Sequence, residues 1–180
     1  GAVNAVSQLT PEELAKGVVT HSSGNHAGAL AMAAKVFGTS AHIVMPSNSS
    51  EVKKAAVRSY GGIIVECEPN LDARLSVSEA VRIKTGATLV PPFDHPRIIA
   101  GQGTCAKEFH EQMPDLDVIV APIGGGGLMS GTCIATKAKS ESRPAGESIK
   151  VIGAEPVGAD DAYRSKLENT FIPQTNPQTI

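Results

Sequence analysis

Short apolar, β-branched runs alternate with longer Ala-rich or amphipathic runs along most of the chain. Thr10-Pro11-Glu12-Glu13 predicts a helix start, with Thr10 as N-cap, Pro11 in the first turn and Glu13 as the capping-box partner. A buried strand follows at Gly17–His21, then a helix from His26 to Phe37 that stops at Gly38. Ala41–Met45 is a second strand, stopped by Pro46. Ser49 or Ser50 caps a helix from Glu51 to Tyr60, which Gly61 ends, and Ile63–Glu66 is a third strand. A helix from Asp72 to Lys84 stops at Gly86, and the strand Ala87–Val90 is broken by Pro91-Pro92. The pattern restarts after His95-Pro96. Arg97 to Met113 is a long helix closed by Pro114, Val118–Pro122 a fully apolar buried strand, Gly124–Gly127 a loop, and Leu128 to Lys139 a helix. Ser140–Ser148 is a polar turn, Lys150–Ala154 a strand and Asp160 to Glu168 a helix, while the tail Phe171–Ile180 shows no periodicity.

Strand–helix alternation of this kind predicts right-handed crossovers and parallel sheets flanked by helices, an α/β fold. The break at Pro91–Pro96 predicts two α/β lobes.

Composition removes several classes of function. The chain has 180 residues with 16 Lys+Arg against 18 Asp+Glu, a net charge of −2, so it carries no basic stripe for nucleic acid. Aromatics are 3% with no Trp, which argues against base stacking. No apolar run approaches the ~20 residues of a membrane span, and the first residues lack a signal-peptide pattern. Cys67, Cys105 and Cys133 are widely spaced with no CxxC pair, which predicts a reduced, cytoplasmic protein. The chain does not begin with Met and is expected to be a fragment or a processed product.

Three strand-to-helix junctions carry candidate chemistry. Ile123-Gly124-Gly125-Gly126-Gly127-Leu128 joins an apolar strand to a helix. Four glycines cost backbone entropy, which is tolerated where main chain must approach a ligand closely. Free N–H groups and the positive end of the helix dipole then suit an anion. The spacing fits neither the dinucleotide fingerprint nor the phosphate loop with its Lys, so it is a phosphate cup of another kind or simply a tight turn. Thr20-His21-Ser22-Ser23-Gly24-Asn25-His26 gathers hydroxyls, an amide and two imidazoles at a helix start, a set suited to a carboxylate. The alternative is that Ser23 or Asn25 only caps the helix. Glu155-Pro156-Val157-Gly158-Ala159-Asp160-Asp161 places three carboxylates in one turn, as a hard divalent cation requires. Here the alternative is a cap by Asp160. His110-Glu111 lacks the second His of a zinc helix, and no cysteine has metal spacing. Gly101-Gln102-Gly103-Thr104 reads as a turn or as a loop facing the anion site.

Strand-S-S-G-N-H-helix, followed about a hundred residues later by strand-G-G-G-G-helix, resembles the fold-type II pyridoxal phosphate enzymes of the serine/threonine dehydratase group. Ala100 to Thr104, Ala154-Glu155-Pro156 and Gly158 to Asp161 extend the match along nearly the whole chain. Ser22-Ser23-Gly24-Asn25-His26, with Ser at position 23, is most similar to the serine racemase branch and its hydroxyaspartate dehydratase relatives. The resemblance implies a tryptophan-synthase-β-like fold, incomplete here at both ends. Residues 1–16 would lead from the large lobe into the small one, 17–92 would form the small lobe, and 93–180 would form part of the large, cofactor-binding lobe. It implies that Asn25 meets the ring hydroxyl of pyridoxal 5'-phosphate and that Gly124, Gly125, Gly126 and Gly127 hold its phosphate. Ser22, Asn25 and His26 would surround the substrate carboxylate, Arg74 would meet the substrate in a closed state, and Ser23 would be the acid/base opposite a Schiff-base Lys. Glu155, the Ala159 carbonyl and Asp161 would hold Mg²⁺ or Ca²⁺. Asn25 and Tyr60 would form part of an ATP effector site in a homodimer, although Gly28 stands where the family carries Gln. The Lys belongs to an S-F-K-x-R-G-A segment whose Gly-Ala matches Gly1-Ala2, so it would lie about three residues before Gly1; none of the ten lysines present has an equivalent motif. The implied substrate is serine or a related 3-hydroxy amino acid, racemised or deaminated. Threonine or 3-hydroxyaspartate dehydration, or a non-catalytic fragment, are the alternatives.

Overall fold

The computed structural model describes residues 1–144 and 147–174. The middle of the polar turn expected at Ser140–Ser148 and the last six residues of the tail lie outside them. The chain divides into two compact units, Gly1–Gly101 and Gln102–Ile180. The division falls inside a helix, past the Pro91–Pro96 break.

The first unit carries a four-stranded, all-parallel sheet in the order β3-β2-β1-β4, from β1 (Val18–His21), β2 (Ala41–Pro46), β3 (Ile63–Cys67) and β4 (Thr88–Leu89). Val18 pairs with Ala41 on one side and Thr88 on the other, so β1 is central. Side chains alternate across it. Val18, Ile43 and Met45 join α1 (Ala2–Val6) and the Ala-rich α3 (Asn25–Val36) in one core. Val19, Val44 and Cys67 pack with Val77 and Val81 of α5 (Leu71–Thr85) on the opposite face. A parallel sheet covered on both faces explains why β1 and β2 are apolar almost throughout. Leu30, fully buried from α3, contributes about 1.5–3 kcal/mol of transfer free energy.

The capping box at α2 (Pro11–Lys16) forms as expected: Thr10 Oγ1 accepts from Glu13 N–H and Glu13 Oε2 accepts from Thr10 N–H. Helix α1 was not foreseen. Residues 1–16 lie within the first unit, where Ala2, Ala5 and Val6 are buried against α3. Ser50 occupies the N-cap position of α4 (Glu51–Ser59), but its side chain makes no cap bond, and Ser49 Oγ is buried without a partner. Lys54 holds this helix instead. Its buried Nζ donates to Glu66 Oε1 at 2.6 Å and to the Ser47 carbonyl at 2.9 Å, tying α4 to β3 and to the turn before it. The Glu66 carboxylate raises the Lys54 pKa and is itself lowered by the ammonium.

In the second unit β5 (Val118–Pro122) and β6 (Lys150–Ala154) form a parallel pair, with α7 (Gly127–Ser140) as the crossover. Helix α6 (Pro96–Gln112) leads into this unit, and α8 (Asp161–Glu168) follows a short 3₁₀ turn at Val157–Ala159. Val118–Pro122 forms the strand that its apolar run predicts. Ile119 and Ala121 are buried, whereas Val118 and Val120 are exposed. Among the described residues a helical layer covers one face only. The Gly101–Thr104 stretch is neither turn nor loop but lies inside α6. A Cβ at Gly103 would stand 3.0 Å from the Gly131 carbonyl oxygen, so glycine lets α6 and α7 touch backbone to backbone.

Candidate functional site: two strand-to-helix loops

The first loop leaves β1 with Ser22 N–H donating to the Val44 carbonyl at 3.1 Å. The residue at the α3 N-cap is Gly24, which has no side chain, so neither Ser23 nor Asn25 caps the helix. Ser22 Oγ accepts from Gly24 N–H at 3.3 Å and shapes the turn. Ser23 Oγ makes no hydrogen bond among the described residues. The loop thus presents a free hydroxyl, the Asn25 amide and the uncapped first turn of α3 at one place.

His26 Nε2 stands 3.1 Å from the Val90 carbonyl, so only Nδ1 remains for a ligand. Burial lowers its pKa, the Val90 carbonyl opposes this, and His21 lowers it further. His21, half-buried, is also held below its ordinary range, first by burial and then by the Arg74 guanidinium. Arg74, on α5, thus lies within electrostatic reach of His21 at the C-terminal end of β1. Its Nε is buried without a partner, an unmet donor that fits an anionic group. No sequence spacing brings Arg74 to the loop; the α5 crossover over β1 does. Thr20, the first residue of the Thr20–His26 string, is fully buried with its hydroxyl unpartnered.

Tyr60 lies elsewhere on the unit. It lines a cavity of about 380 Å³ with Ala31, Ala34, Lys35 and Arg58, and Asn25 is not part of that lining. A Cβ at Gly28 would meet nothing within 4 Å, so the first turns of α3 have room for a longer side chain.

The second loop joins β5 to α7. Gly124 has φ +52° and Gly126 φ +84°, both left-handed, and a Cβ on either would enter open space rather than protein. Backbone conformation, not crowding, requires glycine here. Gly126 is the N-cap of α7 and offers no side-chain cap, so the first-turn N–H groups remain for a ligand. Gly124, Gly125 and Gly126 line a cavity of about 550 Å³ with Ser165, Lys166 and Thr170. Backbone donors, a positive dipole end and an adjoining void fit a phosphate.

Beyond β6, Glu155 Oε2 accepts from Tyr163 N–H in the first turn of α8 at 3.0 Å. Glu155 is therefore the side-chain cap of this helix. The cap expected from Asp160 is corrected, since its carboxylate pairs with Arg164 Nε at 2.7 Å and makes no cap bond. Asp161 begins the helix. Among the described residues no group of three His, Cys, Asp or Glu side chains is placed to hold a metal. Ala159 closes the 3₁₀ turn that lies between Glu155 and Asp161. Also among the described residues, no helix is long and apolar enough to cross a membrane.

A family profile described as pyridoxal-phosphate dependent enzyme matches residues 1–180, and the chain belongs to that family. It is 49% identical over 180 residues to a beta-hydroxyaspartate dehydratase from Paracoccus denitrificans (strain Pd 1222), covering all of this chain and 55% of the relative. It is 45% identical over 182 residues to a serine racemase from Dictyostelium discoideum, again with all of this chain and 54% of the relative covered. The solved structure of maize serine racemase superposes with a TM-score of 0.92 at 44% identity, over 98% of this chain and 52% of that one. The chain thus spans about half the length of the curated relatives it matches.

Proposed function

We propose that the complete protein is a pyridoxal phosphate enzyme that interconverts L- and D-serine and eliminates the β-hydroxyl of serine or a related 3-hydroxy amino acid. The observation that carries this reading is the free Ser23 hydroxyl, on a helix whose N-cap is Gly24. The 3-hydroxyaspartate ammonia-lyase reading stands second, favoured by the 49% identity to such an enzyme.

Pyridoxal phosphate, when bound, supplies an electron sink that acidifies the substrate α-carbon. The glycine-loop N–H groups would hold its phosphate, and the Asn25 amide its ring hydroxyl. Ser22, Asn25, His26 through Nδ1, and Arg74 would gather the substrate carboxylate, with Arg74 Nε supplying an unmet donor. Ser23 Oγ would hold the proton that returns to the α-carbon from the face opposite a lysine. Racemisation needs an acid on each face; elimination needs only one. A reducing, cytoplasmic compartment fits the three free thiols.

The test supplies the complete, cofactor-loaded protein with L-serine, L-threonine or 3-hydroxyaspartate, and separates inverted amino acid from keto acid. D-serine alongside pyruvate supports the first reading, and keto acid from 3-hydroxyaspartate alone supports the second. Neither product from any of the three removes both.

Two further parts of this reading give predictions. Glu155, Asp161 and the Ala159 carbonyl would take Mg²⁺ or Ca²⁺ in a structural role, because hard oxygen donors choose hard cations. The thermal midpoint of the complete protein is expected to rise with free cation. The gain would be about 2.7 kcal/mol at a hundredfold excess over Kd, and Asp161→Ala would abolish the dependence. A midpoint indifferent to chelator, Mg²⁺ and Ca²⁺ leaves Glu155 as a helix cap only. The complete protein would also be a homodimer, with an ATP effector site that includes Asn25 and Tyr60 and is weakened by Gly28. Gly28→Gln is expected to strengthen α3 by ~0.5 kcal/mol through helix propensity, and to raise ATP activation by about fivefold or more. Equal ATP responses in wild type and variant would remove Gly28 as the cause.

A further inference from the structure

Helices α6 and α7 meet twice in the second unit. Their backbones touch at Gly103 and Gly131. About two turns further along α6, His110 Nε2 stands 3.2 Å from Thr136 Oγ1. Both residues are buried, His110 at 6% and Thr136 at 1% exposure. His110 Nδ1 is also buried and has no partner. The nearby packing of Ala106, Ile119 and Ile149 with Leu116 and Ala135 is apolar. The charged groups that face the ring are Lys139 on α7 and Arg143 just beyond it, both cations, and no carboxylate among the described residues contributes to its protonation.

We propose that the His110–Thr136 contact is an acid-labile pin: neutral His110 holds α6 on α7, and proton uptake by His110 releases the two helices. A neutral imidazole is tolerated there with one hydrogen bond. An imidazolium would need two acceptors, would lie in apolar packing and would face two like charges.

Burial first, then Lys139 and Arg143, hold the His110 pKa below its ordinary value. The released ring regains the ordinary value of about 6.5. Stability from the neutral contact is therefore fully present above about pH 6.5, and is lost as pH falls from there toward the depressed native value. One proton taken up on release makes opening up to tenfold more favourable per pH unit in that window. Because α7 starts at the glycine loop, the pin acts on the helix that presents the anion-binding N–H groups. The proposal itself needs no bound cofactor.

Hydrogen exchange of the complete protein without added cofactor tests it, with protection factors corrected for the intrinsic pH dependence of exchange. Amides of α6 and α7 are expected to keep constant protection above about pH 7 and to lose up to tenfold per unit below about 6.5. The double variant His110→Leu, Thr136→Val replaces the pair by apolar groups and is expected to flatten that slope, whereas His42→Gln keeps it. The same slope in the double variant would overturn the proposal. Should the double variant fail to fold, the ring Cε1–H of wild-type His110 is titrated by NMR. A midpoint below about 6.5 supports the pin, and one at or above it overturns it.

Discussion

Ser23→Ala in the complete protein is expected to cut D-serine formation by about 10²–10⁴-fold, the usual worth of a positioned general acid or base, while most elimination of L-serine survives. Proton abstraction by a lysine on one face does not require Ser23, but return of a proton to the other face does. The substitution separates this role from a structural one, because Gly24 holds the N-cap of α3 and Ser23 makes no cap bond. Its removal is expected to leave the thermal midpoint close to wild type, where loss of a true serine cap costs about 1 kcal/mol. Chiral separation of D- and L-serine, with pyruvate followed in parallel, reads both branches in one experiment. D-serine formation at near the wild-type rate would deny Ser23 the acid/base role, and an equal loss of pyruvate would make it a binding residue for both reactions.

The parts of the fold that were legible in the sequence are those fixed by local chemistry. Thr10 and Glu13 form their capping box because both partners lie three residues apart, and α3 stops before Gly38 as a glycine there dictates. The parallel sheet followed from β-branched runs separated by helix-length segments. What stayed hidden depends on partners distant in sequence. Helix α1 is five residues long with no cap signal, and its burial against α3 explains it better than propensity does. Ser50 and Asp160 stand at N-cap positions, yet neither side chain caps, because the cap bond needs a rotamer that sequence cannot show. Glu155 caps α8 from eight residues away in the chain. The apolar run of β5 reads as a buried strand, yet among the described residues only Ile119 and Ala121 of it are buried. At the site, the serines and the four glycines were visible as strings, whereas the approach of Arg74 to His21 and the attachment of His26 to Val90 were not. Both depend on how α5 and β4 pack against β1.

Gly126→Asp is expected to remove most pyridoxal phosphate binding from the complete protein at only a modest cost in stability, a divergence that a simple tight turn cannot produce. Gly126 sits at φ +84° with open space where a Cβ would go. An L-residue there meets backbone strain of about 1–2 kcal/mol but no clash. Aspartate tolerates the left-handed region better than most residues, and its carboxylate at the N-terminus of α7 gains about 0.3–1 kcal/mol from the helix dipole. The dipole gain offsets only part of the strain, so the melting temperature should fall, but by less than in Gly126→Ala. The same carboxylate occupies the N–H groups a phosphate would use and repels it at short range, so affinity is expected to fall by about 100-fold or more. Gly126→Ala carries the strain without the charge and should show the reverse, a lower midpoint with a smaller loss of affinity. Titration with pyridoxal, which lacks the phosphate, isolates the cause: the Asp variant should bind it about as weakly as wild type does. Unchanged pyridoxal phosphate affinity in a folded Gly126→Asp protein would reduce the four glycines to a strand-to-helix connection and move the phosphate to another part of the complete protein.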